Sequence, residues 1–116
     1  MGMYIAIADG FGLALTRGLF DCIVESTRAC CSAKDSDCLL KIYETLDEQG
    51  QSFISLQDVD ALCFNVFYVA CKKAMNVFAE SEVGRSVPFD HLEGILWNWR
   101  EVLALMRTDV RFRGQG

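Results

Sequence analysis

Asp47 and Asp58 bracket a polar run, Glu48-Gln49-Gly50-Gln51-Ser52, in which side-chain oxygens recur at alternate positions. A hard cation such as calcium takes oxygen ligands at such spacing, and Asp47, Gln49, Gln51, Ser55 and Asp58 are the candidate ligands. Only the two aspartates of that set carry charge, against the roughly six to eight oxygens calcium takes. The expectation is weak or no calcium binding and no other cofactor. His91 is the one histidine, and the six cysteines stand at 22, 30, 31, 38, 63 and 71. A Cys–His nucleophile needs a thiol held beside the imidazole, and no spacing selects one of the six. No catalytic residue is therefore assigned, and an enzyme is not expected. There is no CxxC pair to hold zinc, Lys72-Lys73 is too small a patch for nucleic acid, and Gly10-Phe11-Gly12 lacks the spacing of a phosphate loop.

The elements that would position these groups read as helices. Leu39, Ile42, Tyr43 and Leu46 fall on one helical face, with Ser36 or Asp37 as the cap. After the polar run, Ser55 precedes Asp58 in a pattern close to a capping box, and Val59, Leu62, Cys63 and Val66 resume the apolar face. The stretch ALCFNVFYVA is apolar nearly all round, so one long buried helix is expected to about Ala79. A second loop covers Glu80–Pro88. A last helix then carries Phe89, Leu92, Ile95, Leu96, Trp99, Leu103 and Met106. Trp97 and Trp99 point about 200° apart on it, which makes Trp99 core and Trp97 an exposed anchor. Residues 1–31 read as an N-terminal helix with a break near Gly10-Phe11-Gly12. Asp9 and Arg17 keep its apolar run too short to span a bilayer, and Ala6 stands where myristoylation of Gly2 asks for Ser or Thr.

The helix–loop–helix over 39–63 resembles an EF-hand. With Asp47 first in the loop, Ile54 takes the central aliphatic position and Asp58 the twelfth, acidic one. The loop departs from the family at Gln49, Gln51 and Ser52. The second loop resembles a further, degenerate hand with Val87 as its central residue. The resemblance implies an all-α fold, a four-to-five-helix orthogonal bundle made of an EF-hand-like pair with an N-terminal extra helix. It divides a single domain, 1–116, into that helix (1–31), one hand-like unit (36–66), a second (67–106) and a frayed tail (107–116). It also implies a calmodulin-like or light-chain-like adaptor that grips another protein or an amphipathic helix, with Phe64, Phe67, Met75, Phe78 and Trp97 lining the groove. Ordinary core packing explains the same apolar residues more simply.

Composition leaves other readings open. A hydrophobic fraction of 52% with a single proline suits a folded helical chain, and a net charge of −5 argues against nucleic acid. The same charge, with acids at 35, 37, 44, 47, 48, 58 and 60, suits an acidic immunity or inhibitor protein that masks a basic toxin or nuclease. Cys22/Cys30 and Cys63/Cys71 share one spacing, so a disulfide-stapled helical subunit of an organelle complex is a further alternative. Buried thiols in an intracellular, cytoplasmic protein are the simpler expectation.

Overall fold

The computed structural model describes residues 3–8 and 10–113. Gly2, Asp9 and the tail residues 114–116 lie outside the described residues. The fold is α+β, not all-α. A hairpin of β1 (Met3–Ala8) and β2 (Phe11–Leu15) leads into α1 (Arg17–Ala29), a short 3-10 turn (Ala33–Asp35) and α2 (Ser36–Asp47). A third strand, β3 (Phe53–Ser55), is followed by α3 (Ala61–Glu80), the short α4 (Glu82–Ser86) and α5 (Phe89–Arg107). The sheet order is β2-β1-β3, with β1 antiparallel to β2 and parallel to β3.

The N-terminal segment is a hairpin because its apolar residues alternate. Met3, Ile5 and Ile7 are buried while Tyr4 faces solvent, the period of a half-buried strand. Gly10 takes φ +80° at the turn, a conformation that costs glycine little. At Gly12 a Cβ would collide with the Tyr4 side chain and the Ile5 carbonyl, so the two strands approach closely there. The helix expected over residues 1–31 begins only at Arg17, with Thr16 as its cap.

β3 removes the expected EF-hand pair. Ile54 lies opposite Ile5 of β1 in a parallel ladder, and the Tyr4 N–H donates to the Ser52 carbonyl at 3.0 Å. In a hand pair Ile54 would instead meet its counterpart, Val87, which sits between α4 and α5. Ser55 ends β3 rather than capping a helix. The cap of α3 is Asp60, whose carboxylate accepts from the Cys63 N–H at 2.9 Å.

The helices bury one stripe each against the sheet and one another. Phe20, Ile23, Val24 and Thr27 do so on α1, Ile42 and Tyr43 on α2, and Trp99, Val102 and Met106 on α5. The Trp99 indole N–H donates to the Cys71 carbonyl at 3.0 Å, and the Tyr43 hydroxyl donates to the Val24 carbonyl at 2.6 Å. Cys38 and Cys63 form a disulfide between α2 and α3. Two bonds joining Cys22/Cys30 to Cys63/Cys71 would be the staple read from the equal spacing; Cys63 pairs with Cys38 instead, and Cys22, Cys30 and Cys71 are free. No helix among the described residues is long and apolar enough to cross a membrane.

The tail expected to fray from residue 107 is anchored through residue 113. The Arg111 guanidinium donates to the carbonyls of Ile7 and Val59, both at 2.8 Å, and to that of Leu56. It also pairs with Asp109 at 2.8 Å and lies 4.3 Å over the Phe64 ring. One side chain thus closes the end at which the parallel strands β1 and β3 run out.

Candidate protein-binding surfaces

The candidate calcium ligands are dispersed by the sheet. Asp47, at the end of α2, is engaged by the Arg28 guanidinium at 3.0 and 3.2 Å, and Arg28 in turn lies 4.1 Å over the Tyr43 ring. Gln49 and Gln51 are exposed in the connection to β3. The Ser55 hydroxyl accepts from the Gln57 N–H at 3.1 Å, and Asp58 is exposed. No group of three or more His, Cys, Asp or Glu side chains among the described residues is placed to hold a metal ion.

The five residues expected to line a partner groove also separate. Phe64 and Phe67 are fully buried core residues, so a partner cannot reach them in this fold. Met75 and Phe78 pack partly buried against the core, with Phe78 5.6 Å from Trp99 between ring centres. Trp97 is 59% exposed on α5.

Cys22, Cys31 and Cys71 sit where burial disfavours a thiolate. Burial pushes the Cys71 thiol up to about 11, and burial also raises Cys22 and Cys31 above the ordinary thiol value. All three stay protonated near neutral pH. His91 is exposed near the start of α5.

Two surfaces remain. The first is acidic and polar. Asp37, Lys41, Glu44 and Glu48 fall on one outer stripe of α2, and Glu44 and Asp58 line the same polar hollow of about 440 Å³. The other acids named from the sequence are partly committed: Asp35 accepts from Ser32, Asp47 pairs with Arg28, and Asp60 caps α3. The second surface is apolar and was not legible as such. Leu62, Val69 and Val77 project from α3 into solvent, whereas a helix apolar all round reads as buried. The signal was present in ALCFNVFYVA, which holds more apolar residues than one buried stripe needs.

No protein-family model matches the chain, and a comparison with curated proteins finds no match. Among solved structures the fold is similar to that of a chain in the complex of the CdiA-CT toxin from Burkholderia pseudomallei E479 with its cognate CdiI immunity protein. The TM-score is 0.80 at 19% sequence identity, over 94% of this chain and 97% of that chain. What is shared is the fold. The likeness spans the hairpin as well as the helices, because coverage so high leaves out only a few residues of either chain.

Proposed function

We propose that this chain is a non-catalytic, immunity-type protein that binds a toxic polypeptide and blocks its action. The observation that carries this reading is the near-complete fold likeness to a chain of a toxin–immunity complex. Charge supports the inhibitor's part in such a pair. The chain carries −5, and the side-chain carboxylates of Asp37, Glu44, Glu48 and Asp58 are exposed and outside the ion pairs formed among the described residues. Free carboxylates of this kind suit a partner whose working surface is basic, as that of a nuclease is, and they accelerate encounter with it.

The test is protection of cells. The cognate toxic domain, sought among the polypeptides encoded alongside this chain, is expressed with and without it. Restored growth is expected with this chain, and none when the non-cognate toxin of the Burkholderia complex is expressed instead. A cognate toxic domain that arrests growth equally in the presence of the folded chain would refute the proposal.

A further inference from the structure

Four large apolar side chains crowd one outer face of the molecule. Leu62, Val69 and Val77 on α3 are 72%, 65% and 53% exposed, and Val83 on α4 is 63% exposed. At about 100° of turn per residue, positions 62, 66, 69, 73 and 77 make a single stripe, apolar except at Lys73. Two open hollows of about 550 and 420 Å³ border it, and both are lined by Cys30 at the end of α1. Both lie between the C-terminal end of α1 and the outer face of α3 and meet at Cys30, and together they make a groove along that face. Exposed apolar side chains clustered on one face in this way are characteristic of an interaction site.

The rim of the groove states what fits. Lys34 and Lys73 both line the larger hollow. The one acid there, Asp35, already accepts from the N–H and the hydroxyl of Ser32, each at 3.1 Å. The groove is therefore locally basic in a chain of net charge −5. We infer that the α1–α3 groove docks an apolar ridge of the toxic polypeptide, flanked by carboxylates that meet Lys34 and Lys73. This rests on the immunity-type reading and adds to it: the toxin is held by an acid-flanked apolar element and not only through its basic surface. Burial of the valines and Leu62 supplies affinity, and the rim lysines set register and approach.

The experiment is titration calorimetry with the cognate toxic domain at two salt concentrations. Val69→Asp is expected to weaken binding at least tenfold. The double substitution Lys34→Glu and Lys73→Glu, at exposed positions that leave the fold undisturbed, is expected to weaken binding at low salt and flatten its salt dependence. Glu44→Lys with Glu48→Lys, on the α2 stripe, serves as the comparison and is expected to change affinity less than Val69→Asp does. If the unsubstituted chain binds no toxic domain, the immunity-type reading itself fails. If the unsubstituted chain binds and neither the aspartate nor the double lysine substitution weakens it, the groove inference fails and that reading stands. A dimer of the free chain in light scattering, dissolved by Val69→Asp, would assign the groove to a second copy and overturn the inference.

Discussion

Arg111→Ala is expected to destabilise the protein by about 3–5 kcal/mol, far more than a change near the end of a chain usually costs. The side chain is 17% exposed and bonds the carbonyls of Ile7, Leu56 and Val59 while pairing with Asp109, itself 7% exposed. Removing it leaves three carbonyls and a carboxylate to be solvated at the end of the sheet. A hydrogen bond to a charged group is worth roughly 1.5–3 kcal/mol, and the stack on Phe64 adds about 0.5–1 kcal/mol. Water entering the vacated space recovers part of the sum, which is why the total is set below simple addition. Urea unfolding followed by tryptophan fluorescence measures it as a lowered midpoint with an unchanged slope. Arg111→Lys is expected to recover less than half, because an ammonium cannot serve several diverging carbonyls at once. A pH series adds an independent arm. The hydrogen bonds from Arg111 hold the Asp109 carboxyl below its ordinary value of 3.8. Its contribution is therefore present above about pH 4 and is lost as pH falls through the lower folded value. The alanine variant should lack that acid-side loss. An alanine variant within about 0.5 kcal/mol of the parent, or a lysine variant equal to it, would refute the anchoring role.

Three further outcomes follow from the same structure. Reduction of Cys38–Cys63, or its replacement by serines, removes a cross-link between residues 25 apart and is expected to lower stability by about 3 kcal/mol, read in urea with and without reductant. Cys71 should resist iodoacetamide in the folded protein and react once it unfolds. Because its folded value lies near 11 against an ordinary 9.0, stability should fall as pH rises from 9.0 towards 11, and a flat profile there would contradict its burial. Calcium at about 1 mM should leave the melting temperature unchanged, since Asp47 is already paired with Arg28 and the other candidate ligands are spread along β3 and its flanks; a rise of several degrees would show a site.

The long helices were legible in the sequence and the sheet was not. The apolar runs that become α3 and α5 are long enough for a 3.6-residue period to declare itself, and Trp99 falls inward while Trp97 stays out. β3 is only three residues, Phe53–Ser55, and a strand that short has no period to read. Its identity comes from β1, some fifty positions earlier, through a parallel pairing that no local pattern reports. The hairpin was within reach. Met3, Ile5 and Ile7 alternate, but Ala6, Leu13, Leu15 and Leu19 allow a helical face as well, and Gly10 and Gly12 read as a break in that helix whereas they are a turn and a close strand contact. Arg111 gave no signal, because an arginine in a polar tail looks solvated until its acceptors are brought to it. Of the surfaces, the free acids of α2 could be named from the sequence. The α3 stripe could not, because exposure of an apolar helix is a property of what fails to pack on it.

The most direct measurement is a titration of the cognate toxic domain's own activity with the purified chain. The account predicts a linear fall to background, complete at one equivalent. Full activity in the presence of excess folded chain would contradict it.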